Sequence, residues 1–210
     1  MSAASCWLSA SSASPSPVSF ALTRPPGHHA TRSAAMGFCL VNYAACAALH
    51  LLGPGGGGPV GLIDIDVHFG NGSADILKGV EGARYASVHQ GGIYPGSGET
   101  EPEGDNVMKL PVPAGTQGEE WLRAVGECLD FVTAHRPEAL VVSVGYDGLA
   151  EDKLASLELT AEDYADALAM CVARMDGKKV VIGLEGGYDL EATGEAVRIG
   201  VERIIAMENK

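Results

Sequence analysis

The chain is 210 residues long, carries a formal net charge of −13 at pH 7 and is 46% hydrophobic. That length suits one domain able to bury roughly 70% of its unfolded surface without staples, and the negative charge repels phosphate backbones, so no direct nucleic-acid partner is expected and a cationic one is favoured. No apolar run reaches the ~20 residues of a membrane-spanning helix, and five cysteines without a CxxC pair point to a reducing intracellular compartment (cytoplasm, nucleus or an organelle) with no membrane partner.

Residues 1–19, MSAASCWLSASSASPSPVS, hold no charged side chain, and their Ser/Ala-rich composition predicts a disordered leader. Neither the basic start and unbroken apolar stretch of a secretory signal nor the Arg-rich pattern of a transit peptide is present. From Phe20 onward, β-branched runs alternate with helical patterns, the rhythm of βαβ units and a mostly parallel sheet. SFALT, PVGLIDIDV, ARYASV, EALVVSVG and KKVVIGLE are the predicted strands. FCLVNYAACAALHLL reads as a helix closed by Gly53, and Thr116 with Glu119 offers a capping box to EEWLRAVGECLDFVTAH. Thr160 is expected to cap AEDYADALAMCVARM, which stops at Gly177, and LEATGEAVRIGVERIIAM forms the last helix. Neither GPGGGG nor GGIYPGSG is followed by Lys-Ser/Thr, so both read as loops rather than phosphate-binding loops.

Ligands of open parallel sheets bind beyond the carboxyl ends of the strands, and four predicted ends carry unusual chemistry: RPPGHH, DIDVHFGNG, GYDG and EGGYD. In DIDVH, alternation sends Asp64, Asp66 and His68 to one side and Ile65 and Val67 to the other. Ionisable groups on an apolar strand are costly to bury without a cation to gather them. A carboxylate and an imidazole two residues apart can share one metal, for which Asp147, after the flexible Gly145, is the best third ligand. An ion held by two carboxylates and one imidazole is largely neutralised, so nearby bases gain importance. The adjacent His28 and His29 supply them, with Asp64 available to orient one ring and Asn71 the other. Pro25 and Pro26 stiffen the approach, and Gly27 lets it bend.

Taken together, RPPGHHA, GFC, DIDVHFGNG, SVHQ, YPGSG, GYDGLAEDKLASLELT and LEGGY resemble, in order, the blocks of the zinc-dependent histone deacetylase family. The Asn of FGNG and the Glu of LEGG are more similar to the class II and acetylpolyamine amidohydrolase branches. The resemblance implies a three-layer α/β/α, arginase/deacetylase-like fold for a catalytic domain over 20–210. It also implies hydrolysis of an acetyl or short acyl amide on a protein lysine, histones included, or alternatively on a polyamine. Asp66, His68 and Asp147 then match the zinc ligands, and His28 and His29 the histidines that move protons at the attacking water. Tyr188 matches the oxyanion-stabilising tyrosine on a Gly186-Gly187 hinge, with both glycines placed at the substrate. Phe38 and Tyr94 match the walls of the acyl-lysine tunnel, and the Gly37 carbonyl matches the acceptor of the substrate amide N–H. Asp64 and Ser87 match a structural potassium site.

Three departures from the family pattern stand out. Phe69 replaces a histidine common in the family, and Gly148 replaces the usual alanine after the third ligand. The family's first strand, early helices and rim loop have no counterpart ahead of Phe20, so the domain reads as N-terminally incomplete. Two further readings are a binuclear manganese ureohydrolase, which needs additional carboxylates at both metal-binding strand ends, and a truncated interaction protein with impaired catalysis.

Overall fold

In a computed structural model, residues 6–7, 9–10, 16–53, 57–98 and 104–208 are described. The strands are β1 (Val18–Ala21), β2 (Val60–Asp64), β3 (Ala83–Gln90), β4 (Val107–Val112), β5 (Ala139–Val144) and β6 (Lys179–Leu184). Between and after them run helices α1 (Tyr43–Leu52), α2 (Asn71–Leu77), α3 (Gly118–Thr133), α4 (Ala161–Met175) and α5 (Leu190–Glu208). The strands form one parallel sheet in the order β1-β6-β5-β2-β3-β4.

The central strands are apolar on both faces because alternate residues meet different helices. Ile63, Leu140, Val142, Val180 and Ile182 pack against Trp121, Val125 and Leu129 of α3, Leu168 and Cys171 of α4, and Ala196 and Ile204 of α5. Leu62, Val141 and Val181 turn the other way, toward Tyr43, Ala47 and Leu51 of α1 and Ala74 and Leu77 of α2. This gives the three-layer α/β/α architecture. No helix among the described residues is long and apolar enough to cross a membrane.

Several expectations change at the level of single elements. β4 escapes the apolar-run criterion because it contains Lys109 and Pro111, which an edge strand tolerates since one row of its backbone groups is unpaired. The short α2, NGSADIL, has a weak helical pattern and no side-chain cap bond at its N-terminus. α1 starts at Tyr43 rather than Phe38, because Asn42 caps it by accepting from Ala45 N (2.9 Å). The predicted Thr116 capping box does not form: Gln117 is the N-cap of α3, and the Thr116 hydroxyl donates to the Pro113 carbonyl (2.8 Å). At α4 the Thr160–Asp163 capping box is complete.

Part of the segment read as a leader over 1–19 is described. β1 begins at Val18, and Trp7 is buried, 2% exposed, within the core between the sheet and α1. Its ring lies over Gly183 of β6, where a Cβ would overlap it, and its Nε1 donates to Thr23 Oγ1 (3.2 Å). Composition concealed this because one large apolar side chain among serines and alanines barely alters the average. Residues 1–5, 8 and 11–15 lie outside the described residues. Trp7→Ala is expected to lower stability by about 3–5 kcal/mol in urea unfolding, and an unchanged midpoint would contradict the burial of this ring.

Candidate metal centre and substrate cavity

From β2 the chain continues to β3 on one side, and from β5 it continues to β6 on the other, so the β2–β5 border is the topological switch point of the sheet. A crevice opens at the carboxyl ends of such strands. Asp66 and His68 enter it just after β2, and Asp147 just after β5. One ligand atom from each of the three lies within 4.8 Å of the others. His68 Nδ1 is 3.2 Å from Asp66 Oδ1 and 3.0 Å from Asp147 Oδ2.

The remaining carboxylate oxygens are held by the backbone. Asp66 Oδ2 accepts from Gly186 N (2.8 Å), and Asp147 Oδ1 accepts from Val67 N (3.2 Å). Asp147 Oδ2 is buried and accepts no hydrogen bond despite its short approach to His68. An orphaned oxygen converging with a second carboxylate and an imidazole is a donor set that fits a divalent cation. The electrostatics agree. Burial opposes charge on His68, yet Asp147 and Asp66 lift it to about 10. Burial and the facing Asp66 lift Asp147 to about 6, whereas Asp66 is depressed because His28 and His68 outweigh its burial. The cluster therefore calls for positive charge, which a proton or a metal ion can supply.

The His28–His29 loop follows β1 and is fastened by Glu185, the residue after β6. Glu185 Oε2 accepts from Gly27 N (2.5 Å) and His28 N (3.1 Å), while Oε1 accepts from the Ser143 hydroxyl (3.1 Å). His28 Nδ1 lies 3.1 Å from Asp64 Oδ2, an oxygen that also accepts from the Tyr85 hydroxyl (3.0 Å). His29 Nδ1 lies 2.8 Å from Asn71 Oδ1. With that N–H donated to an amide oxygen, His29 Nε2 keeps its lone pair. The ring centroids are 4.0 Å apart, but their surroundings differ. Burial works against charge on His28, yet Asp66 and Asp64 hold it well above the usual histidine range; burial and the His28 charge press His29 down to about 3. A proton holder stands beside a proton acceptor.

A cavity of about 420 Å3 opens over this group, lined by His28, His29, Gly37, Phe38, His68, Tyr94, Leu154 and Tyr188. Phe38 is 72% exposed and follows Gly37 with both residues at positive φ, so the Phe38 ring serves the lip of the cavity rather than a helix core. A Cβ on Gly37 would overlap the His29 ring. The Gly37 carbonyl accepts from the Cys39 thiol (3.2 Å) and keeps a second lone pair. Tyr94 meets the His29 ring edge-on at 4.9 Å, and Phe38 faces Tyr188 at 6.0 Å. Burial and the Asp66 and Asp147 charges raise the Tyr188 phenol above its usual range, which keeps it a hydrogen-bond donor.

Gly186 and Gly187, expected at the substrate, are not among the lining residues. Gly186 serves Asp66 as described, and the Gly187 carbonyl accepts from the Arg24 guanidinium, which also lies 5.5 Å over the Tyr188 ring. Ser87 pairs with Asp64 across β2 and β3, and its hydroxyl sits 3.0 Å from His89 Nδ1. Gly148 has a local reason: its N–H donates to the Tyr164 hydroxyl (3.2 Å), and a Cβ would stand 2.7 Å from that oxygen. Phe69 packs against the rings of His89 (5.0 Å) and Tyr85 (6.4 Å). Sequence reasoning missed Arg24 and Leu154 and gave Glu185 no structural role. Glu185 carried a signal, being a carboxylate directly after the apolar run VVIGL.

A parallel α/β/α sheet with a carboxylate–imidazole cluster and paired histidines at its switch point defines an α/β protein built around a metal-type centre. The chain belongs to the histone deacetylase family: residues 2–204 match the histone deacetylase domain. It is 38% identical over 192 residues to histone deacetylase 14, chloroplastic, of Arabidopsis thaliana, covering 86% of this chain and 45% of that protein. To acetylpolyamine amidohydrolase 1 of Pseudomonas aeruginosa it is 34% identical over 184 residues, covering 83% and 52%. The crystal structure of acetylpolyamine aminohydrolase from Burkholderia pseudomallei superposes with a TM-score of 0.86 at 30% identity, over 96% of this chain and 60% of that one. The chain spans about half the length of these two curated relatives.

Proposed function

We propose that this chain is a zinc-dependent amide hydrolase that removes an acetyl, or another short acyl group, from a lysine side chain of a protein. The reading rests on one conjunction: Asp66, His68 and Asp147 converge beneath a cavity that His28, His29 and Tyr188 also line. Zinc held by these three ligands would polarise the acyl carbonyl and acidify a water. His29 Nε2 takes the proton of the attacking water, and its depressed basicity favours returning that proton to the departing amine. His28, paired with Asp64, keeps its own proton and the positive charge beside the reacting centre. The Tyr188 hydroxyl donates to the oxyanion as it forms. Phe38 and Tyr94 sheathe the methylene stem, and the Gly37 carbonyl takes the substrate N–H. Asp64 and Ser87, neighbours on β2 and β3, are assigned to structural potassium.

The names of the relatives support two amine carriers, protein lysine and polyamine. Acetate release by the zinc-loaded chain from an acetyl-lysine peptide and from an acetylpolyamine separates them. Faster release from the peptide is expected. Release from the polyamine alone would move the substrate to that class, and no release from either would overturn the proposal.

A further inference from the structure

We infer that Asp152 is a positioning residue that holds the Tyr188 hydroxyl in place by fastening the backbone of the Tyr188 turn, an inference that rests on the function proposed above. Asp152 follows Asp147 by five positions and is buried, 6% exposed. Its Oδ2 accepts from the backbone N–H groups of Tyr188 (2.6 Å) and Asp189 (3.1 Å). Its Oδ1 accepts from Leu154 N (3.0 Å), whose side chain lines the cavity. One carboxylate thus joins the loop that carries a metal ligand, a wall of the cavity and the turn that carries the oxyanion donor.

These bonds are not needed to cap α5. Asp189 already does that, since its Oδ1 accepts from Ala192 N (3.0 Å) and its carbonyl accepts from Thr193 N (2.9 Å). Asp152 acts one step earlier in the chain, on the turn itself. Across that turn Arg24 holds the Gly187 carbonyl and lies over the Tyr188 ring, so the turn is gripped from two sides. The grip matters because an oxyanion donor works only when it is fixed where charge will develop, and a displacement of about 1 Å can cost up to 10²-fold in rate.

Asparagine tests this at almost constant volume. All three donors are backbone N–H groups, and an amide has only one acceptor oxygen. Pointed at Tyr188 and Asp189, that oxygen leaves Leu154 N facing an NH2 group; turned round, it leaves the Tyr188 turn unbound. Asp152→Asn is therefore expected to lower kcat by on the order of 10-fold, with KM and zinc content little changed. In a Tyr188→Phe background the same change should add less than about twofold, because a residue acting through the hydroxyl has nothing left to position. A full further 10-fold loss in that background, or an unchanged kcat in the parent, would overturn the inference.

Amide hydrogen exchange supplies a reading that needs no turnover. The Tyr188 and Asp189 amides should be protected in the parent chain and exchange faster in Asp152→Asn, while α1 and α3 stay unchanged. Unprotected amides at 188 and 189 in the parent would overturn the inference even if the variant does not fold. If Tyr188→Phe has no effect on turnover, it is the functional reading that fails, and exchange at 188 and 189 still decides whether Asp152 fastens the turn.

Discussion

Tyr188→Phe is expected to lower kcat on an acetyl-lysine substrate by on the order of 10²–10³, with zinc content unchanged and KM altered little. The ring keeps its place because its neighbours are not the hydroxyl's: Arg24 lies 5.5 Å over it and Phe38 stands 6.0 Å away. Only the donor is lost. Since the phenol is raised above its usual range by burial and by Asp66 and Asp147, it stays protonated through the neutral range, and its removal deletes a hydrogen bond made chiefly in the transition state. A loss smaller than about threefold would end the oxyanion role and make the LEGGY segment a structural turn.

Asp147→Ala is expected to abolish stoichiometric zinc and reduce turnover to background while leaving secondary structure intact. Asp147 brings the buried oxygen that lacks a hydrogen bond, and the substitution removes that ligand atom. It also takes the acceptor away from the buried Val67 N–H and the carboxylate away from His68, so the metal-free variant is expected to melt somewhat lower than the metal-free parent. The contrast appears on adding metal. The parent gains thermal stability because the ion binds only the folded state, and the variant gains none. One tightly bound zinc retained by the variant would contradict the ligand assignment.

How much of this was legible in the sequence follows from the kind of pattern each feature leaves. β2, β5 and β6 stand out as largely apolar runs, β3 is marked more weakly by the stretch ARYASV, and with them comes the three-layer parallel fold. β4, interrupted by Lys109 and Pro111, and α2, opening on Asn-Gly-Ser, do not. Residues 38–41 look helical by composition, yet Asn42 ends that possibility and leaves Phe38 exposed at the cavity and Leu40 and Val41 exposed as well. The metal-type cluster and the histidine pair were visible because polar residues at the ends of apolar strands are conspicuous. The supports around them were not. Glu185 reaches backbone N–H groups at Gly27 and His28, and Asp152 reaches those at Tyr188 and Asp189, across separations of 158 and 36 residues for the Gly27 and Tyr188 bonds. A carboxylate that binds backbone leaves no residue-type signature at its partner, so spacing alone cannot announce it.

Under the proposed function, one metal ion at Asp66, His68 and Asp147 drives amide hydrolysis in this chain. Zinc titrated into the chelator-stripped protein, with acetate release from an acetyl-lysine peptide followed at each addition, tests it most directly. Activity absent at the start, rising in proportion to added zinc and levelling at one equivalent per chain is the predicted result; activity in the stripped protein, or a plateau only at two equivalents, would contradict it.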